Sequence, residues 1–254
     1  CILSLVLQGT CVALGTAAGS ILVYDTEQNL RTTLLDEAGV DATGAAQLLG
    51  PGGATMPKYR LVDGVSAIAA DQSPDKLIAG HVSGRIVLWT IASQSATPLK
   101  TINDLHVGLS VTALRLFHGV DARTLAVSVD ESGAGYLIVF SRLLIGTYTY
   151  TRQCLLDGSA GPVSSLDLLL PPPAGTAKAG GHRSTLCGIC TARNTYVIQL
   201  EPQPALVHRL AAPEAPISLV ALFRWCKTQR GGVSTDEDGV PFAVARGRRI
   251  SLHR

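Results

Sequence analysis

One pattern recurs along the chain and restricts it to a narrow set of architectures. An apolar run with small residues leads to a glycine turn, and an alternating strand follows that closes on a large side chain. The first copy reads Val12-Ala13-Leu14-Gly15-Thr16-Ala17-Ala18-Gly19-Ser20-Ile21-Leu22-Val23-Tyr24-Asp25. The second reads Leu77-Ile78-Ala79-Gly80-His81-Val82-Ser83-Gly84-Arg85-Ile86-Val87-Leu88-Trp89. A third runs from Leu125 to Phe140, with Gly135 as its predicted turn glycine. A fourth runs from Leu186 to Gln199, with Asn194 at the turn position, because Asn tolerates positive φ next best after Gly. A fifth runs from Phe242 to Leu252 around Gly247.

A second strand precedes each later copy: Val65–Ala69, Val111–Leu116, Val163–Leu168 and Ile217–Val220. These stretches alternate with period two and are rich in β-branched residues, as half-buried strands are. Ser73-Pro74-Asp75-Lys76 has the composition of a tight turn between two of them. The unit is therefore strand, turn, strand, glycine turn, strand, with a fourth strand in the linking segment. Four-stranded units repeated in this way predict an all-β, WD40-like β-propeller over residues 1–254. The strand-closing positions Tyr24, Trp89, Phe140, Gln199 and Leu252 are spaced more widely than the roughly 40–45 residues of a compact WD40 repeat. Loop insertions are accordingly expected near 26–60, 171–183 and 228–239, where Gly, Ala, Pro and polar residues dominate. Such segments bury too little apolar surface to offset their ordering entropy, so they are expected to be mobile loops rather than domain boundaries. About five blades are counted. The abrupt entry at Cys1 leads to the expectation of an incomplete ring, with one or two blades missing at the ends.

Composition removes several other classes. Hydrophobic residues make up 46% of the 254 and charged residues 16%, the opposite of a disordered chain. A net charge of +2 gives no electrostatic footprint for nucleic acid. Six Cys in a chain of this length form no disulfide framework and fit a reducing compartment. The opening Cys1–Leu7 is apolar, but no basic residue precedes it and Gln8-Gly9-Thr10 interrupts it, so it reads as part of a repeat and not as a signal peptide. No apolar run approaches the roughly 20 residues of a spanning helix, so a soluble protein is expected.

Candidate chemistry is sparse. Cys187-Gly188-Ile189-Cys190 has a Cys-x-x-Cys spacing, yet zinc needs two further ligands and a redox pair needs a helix N-terminus. On a strand, an odd spacing sends the two thiols to opposite faces, so a structural role is predicted. Cys1, Cys11, Cys154 and Cys226 are expected as scattered small buried thiols. The histidines His81, His106, His118, His182, His208 and His253 are not spaced as metal ligands on one element. His106 lies five residues before Val111, where a hydrogen bond would pin a blade turn, and His81 is expected to be exposed. Asp130 and Glu131 are expected to face solvent in a turn. Arg246, Arg248 and Arg249 form a small basic group that reads as a solvated edge. Neither Gly-x-Ser-x-Gly nor a phosphate loop occurs. No enzyme, cofactor or metal is predicted, and no single partner-binding residue can be named.

One stretch is more specific than the repeats. Phe140-Ser141-Arg142 leads to Gln153-Cys154-Leu155-Leu156-Asp157-Gly158, then to Gly161-Pro162-Val163-Ser164-Ser165-Leu166, and further on to Asn194-Thr195-Tyr196-Val197-Ile198-Gln199-Leu200-Glu201-Pro202. Together with Ile78–Trp89 it resembles the N-terminal propeller of the vacuolar protein sorting-associated protein 8 family. The resemblance is clearest over residues 60 to 210, and its discriminating part is the Gln-Cys-Leu-Leu-Asp-Gly to Gly-Pro-Val segment. It implies a non-catalytic propeller of an endosomal vesicle-tethering subunit, acting in endosome fusion and protein targeting to the vacuole or lysosome. The implied partners are the other subunits of the CORVET tethering complex and a GTP-bound endosomal Rab GTPase of the Rab-five type. The implied location is cytoplasmic, peripheral on early or late endosomes or the vacuolar membrane, with membrane association through partners only. The solenoid and RING-type zinc element of the family lie outside this sequence. The alternative is a generic WD40 scaffold of another complex, such as a ubiquitin ligase or a chromatin assembly.

Overall fold

The alternating and apolar runs form antiparallel strands, and the glycine turns join them. The structure, a computed structural model, describes residues 2–8, 11–25, 27, 30–34, 63–71, 75–91, 96–119, 121–144, 146–171, 184–211, 221–225, 241–246 and 249–253. All regular structure among them is β. The chain divides into two compact units, Cys1–Val111 and Thr112–Arg254.

The first unit holds two four-stranded meanders. One consists of β1 (Ile2–Gln8), β2 (Cys11–Thr16), β3 (Ile21–Asp25) and β4 (Leu30–Leu34) in that order. The other consists of β5 (Val65–Ala70), β6 (Lys76–His81), β7 (Ile86–Ile91) and β8 (Ala96–Ile102). The apolar opening of the chain is thus a repeat strand, with Leu5 opposite Leu14 of β2. Strand β4 lies within the 26–60 stretch read as an insertion. Ile21, Val23 and Leu34 of the first sheet pack against Val65, Ile68, Leu77 and Trp89 of the second. Each such side chain contributes roughly 1.5–3 kcal/mol on full burial.

The second unit holds β9 (Val111–His118, its first residue at the unit boundary), β10 (Thr124–Asp130), β11 (Ala134–Arg142) and β12 (Tyr148–Asp157) as its first meander. Its second is β13 (Val163–Leu169), β14 (Leu186–Thr191), β15 (Asn194–Gln199) and β16 (Ala205–Ala211). Three further strands follow in order: β17 (Ala221–Trp225), β18 (Phe242–Arg246) and β19 (Arg249–His253). Every residue of β10 and β14 is buried, because these two strands are covered on both faces. The outermost β16 is exposed over nearly its whole length. Leu125, Val127 and Leu137 pack against Leu166, Ile189 and Ile198 of the following sheet. Phe223, Phe242 and Val244 of the last sheet pack against Cys190 and Val197.

The pairing register corrects several positions read from sequence. In the third sheet the left-handed turn glycine is Gly133, at φ 91°, whereas Gly135 lies within β11 opposite Val129. Asn194 is not in the left-handed region: the one non-glycine residue there among the described residues is Ala122. The closing positions equivalent to Tyr24 and Trp89 are Ile138, opposite Ala126, and Ile198, opposite Cys187. Phe140 and Gln199 fall past them. The strand beginning the fifth copy is Ala221–Trp225. Ile217–Val220, Ser73-Pro74, Gly247 and most of the expected insertions lie outside the described residues.

Candidate functional site

The loops that a sheet presents are only as well placed as the turns beneath them. Three turns share one construction. Gly19 N–H donates to Thr16 O (3.1 Å), Gly84 N–H to His81 O (3.0 Å) and Gly133 N–H to Asp130 O (3.0 Å). Each glycine has positive φ, at 79°, 90° and 91°, as in a type I turn followed by a left-handed residue. Each also seats its bare Cα against a backbone carbonyl just before the next sheet. A Cβ on Gly19 would lie 2.8 Å from Asp63 O, and one on Gly84 or Gly133 would overlap His106 O or Gly161 O. The glycines are therefore required twice, by conformation and by close approach.

Gly161 belongs to the segment with the specific resemblance. Asp157-Gly158-Ser159-Ala160-Gly161-Pro162 links β12 to β13. Gly158 and Gly161 adopt φ of 83° and 80°, and Asp157 Oδ1 accepts hydrogen bonds from Ser159 N (2.9 Å) and Ser159 Oγ (2.6 Å). Those bonds hold the Asp157 carboxyl below the usual carboxylate range. The motif shapes the short link on which the Gly133 turn sits.

The polar residues at these turns act as ties. Asp63 gathers the turn after β6: it accepts from Ser83 N (2.9 Å), Ser83 Oγ (2.7 Å) and Arg85 Nε (3.2 Å). Its backbone carbonyl lies 3.0 Å from His81 Nδ1. His81 is 2% exposed, which overturns the expectation of an exposed side chain: the ring folds inward to meet Asp63. Asp, His and Ser thus converge here, a grouping that the sequence hides because Asp63 lies far ahead of the turn. Both Ser83 and His81 are oriented onto Asp63, an arrangement that fixes the turn instead of activating the serine. Asp130 is likewise buried, at 2%. Its Oδ1 accepts from Ser132 N, Ser132 Oγ and Ala134 N, and only its neighbour Glu131 faces solvent as expected. His106 is buried, and its carbonyl oxygen accepts from Leu109 N (3.0 Å).

The fourth sheet lacks a turn glycine and uses a cation instead. Arg246 Nη1 donates to Thr191 O (3.1 Å) and Ala192 O (3.2 Å), and Nη2 to Thr195 Oγ1 (2.9 Å). Arg246 is therefore a structural cross-tie between β18 and the β14–β15 turn and not a solvated edge; Arg248 and the Arg249 side chain lie outside the described residues. Cys187 and Cys190 are both fully buried on β14. Cys187 enters the cluster with Leu166 and Ile198, while Cys190 enters the one with Phe223 and Phe242, which is the opposite-face arrangement predicted. Burial pushes the Cys187 thiol up to about 12 and raises that of Cys190, so both stay protonated. Cys154, by contrast, is exposed and Cys11 half-buried. His118, His208 and His253 lie on β9, β16 and β19, and His182 is outside the described residues. No three of His, Cys, Asp and Glu converge as a metal-binding group among the described residues. No described helix is long and apolar enough to cross a membrane.

Meanders of this kind, stacked through buried faces, define a class. The chain is similar to the β-propeller domain of Cps50 (Swd1) from Myceliophteria thermophila, with a TM-score of 0.53 and 12% identity, covering 99% of this chain and 64% of that one. That likeness shows the fold, a β-propeller. Within the class, the model of the family described as the Vps8 β-propeller matches residues 2–254, and the chain belongs to that family. Two relatives named vacuolar protein sorting-associated protein 8 homolog, from Mus musculus and Homo sapiens, are 29% and 28% identical over 162 residues. The match covers 64% of this chain and 10% of each relative, so the chain spans about a tenth of their length.

Proposed function

We propose that this chain is a non-catalytic interaction module of a vesicle-tethering subunit. It acts in endosome fusion and in protein targeting to the vacuole or lysosome. Its partners are the other CORVET subunits and a GTP-bound endosomal Rab GTPase, and its place is the cytoplasmic surface of endosomal or vacuolar membranes. The observation that carries this reading is the family match across residues 2–254, supported by relatives whose names refer to vacuolar protein sorting. The geometry is compatible with it. The polar residues at the turns fix each turn, Arg246 ties the last sheet to the one before it, and a propeller built this way offers its loops as rigid docking surfaces.

Affinity purification of the full-length protein tests the reading. Recovery of the tethering subunits, together with endosomal localisation that is lost on deleting residues 2–254, is the expected result. Stable recovery of ubiquitin-ligase or chromatin subunits instead, with no tethering subunit, would assign the chain to the generic scaffold class.

A further inference from the structure

The connection between β11 and β12 departs from its counterparts in the other sheets. The equivalent third-to-fourth-strand connections read Thr26-Glu27-Gln28-Asn29 in the first sheet and Ala92-Ser93-Gln94-Ser95 in the second. In the third sheet two leucines, Leu143 and Leu144, occupy this place. Leu143 N–H donates to Thr147 O (2.8 Å) and Gly146 N–H to Leu143 O (2.9 Å). Gly146 takes φ 85°, so the turn is tight and holds its leucines outward. Leu143 is 46% exposed and Leu144 108%. The Leu144 side chain is fully exposed. The hairpin also overshoots its own sheet: Thr124, the first residue of β10, pairs with Phe140, while β11 and β12 stay paired as far as Arg142 and Tyr148.

Two exposed leucines on a convex tip form neither a groove nor a flat face. They suit a medium that closes around a protrusion. Along the hairpin the charges near the tip have one sign, and Asp121 of the neighbouring β9–β10 turn is paired with Arg123. No Asp or Glu occurs between Glu131 and Asp157, a span that holds β11 and all of β12 but its last residue and includes Arg142 and Arg152. Arg142 and Tyr148 face each other across the ladder at the base of the tip. An aromatic ring at that level suits the lipid headgroup region. An arginine stem there lies along apolar surface while its guanidinium reaches an anionic lipid.

We infer that the β11–β12 hairpin tip inserts Leu143 and Leu144 into the interface of an anionic membrane, with Arg142 on the headgroups. This contact adds direct lipid binding to the partner-mediated association proposed above and does not depend on it, since lipid vesicles contain no protein partner.

The test is co-sedimentation of the purified full-length protein with phosphatidylcholine vesicles, with and without phosphatidylserine. Binding is expected to the phosphatidylserine vesicles and to weaken with salt. The Leu143→Ser/Leu144→Ser variant is expected to bind about tenfold or more weakly with an unchanged melting temperature, as two lost apolar insertions dictate. Arg142→Gln is expected to lose several-fold on phosphatidylserine and nothing on phosphatidylcholine. A second readout places a fluorophore at the tip. On adding vesicles, emission of the Leu144→Trp variant is expected to shift to shorter wavelength relative to the parent protein. Vesicle binding that is unchanged in the serine variant, or emission of the Leu144→Trp variant that is indifferent to vesicles, overturns the inference. Loss of a protein partner by the serine variant, with vesicle binding intact, also overturns it and assigns the tip to protein docking.

Discussion

Replacing Gly84 by alanine separates the two demands that the turns make on glycine. At φ 90°, an alanine bears the strain of the left-handed region, about 1–2 kcal/mol. Its Cβ would also overlap the His106 carbonyl and stand 2.8 Å from Leu109 O. Both contacts are backbone, so no rotamer change relieves them and the 106–109 loop must move. That movement breaks the bonds from Gly108 N to Ser83 O (3.1 Å) and from Leu109 N to His106 O (3.0 Å), each worth roughly 1 kcal/mol. The total is about 3–4 kcal/mol, which corresponds to a fall in melting temperature on the order of 6–16 °C. Gly108 supplies the control. Its φ is 73°, and a Cβ there meets nothing within 4 Å, so Gly108→Ala carries only the conformational strain of about 1–2 kcal/mol. Thermal and urea unfolding of both variants beside the parent measures the difference. Equal destabilisation by the two substitutions would refute the close-approach argument.

The other junctions give parallel expectations. Arg246→Met removes three charge-assisted hydrogen bonds to the β14–β15 turn and is expected to cost roughly 2–3 kcal/mol in urea unfolding, whereas Arg224→Met, at an exposed position, is expected to cost under about 0.5 kcal/mol. Gly188→Ala drives a methyl into the Phe223 ring; it is expected to destabilise, and Phe223→Leu is expected to restore part of the loss in a double-mutant cycle. Thiol labelling followed by mass spectrometry is expected to modify the exposed Cys154 before the half-buried Cys11 and to leave Cys187 and Cys190 unmodified until the chain unfolds. Because burial raises Cys187 from 9.0 to about 12, the unfolded chain gives up this proton first as pH climbs. Its contribution is therefore whole below pH 9.0 and declines by about 1.4 kcal/mol per pH unit toward pH 12; Cys187→Ala is expected to flatten that alkaline decline in urea midpoints measured against pH.

What the sequence makes legible follows from where each signal is stored. Gly19 and Gly84, the second glycines of the two matching Gly-to-Gly spacings, report turn geometry directly, because conformation and sterics both reject other residues there. The Cys187–Cys190 arrangement is legible for a similar reason, since strand period alone sends the two thiols apart. Gly135 passes for the turn glycine because it directly precedes the apolar run, and only the pairing with Val129 shows that the strand has already begun at Ala134. The burial of His81 and Asp130 is not legible. Turn residues of their type usually meet solvent, and what draws them inward is a set of donors and acceptors. For His81 the partner, Asp63, lies 18 residues away; for Asp130 the backbone folds back on itself. Arg246 misleads for the same reason, as its acceptors belong to a turn more than 50 residues earlier.

In the proposed function the module serves a tethering subunit that distinguishes the nucleotide state of an endosomal Rab GTPase. Its most direct test is equilibrium binding of the full-length protein to an early-endosomal Rab loaded with a non-hydrolysable GTP analogue, compared with the same Rab loaded with GDP. Saturable binding to the GTP-analogue form, at least about tenfold tighter than to the GDP form and lost on removal of residues 2–254, is the predicted result. That ratio corresponds to about 1.4 kcal/mol of discrimination. Equal affinity for both forms, or binding to neither, would contradict the claim.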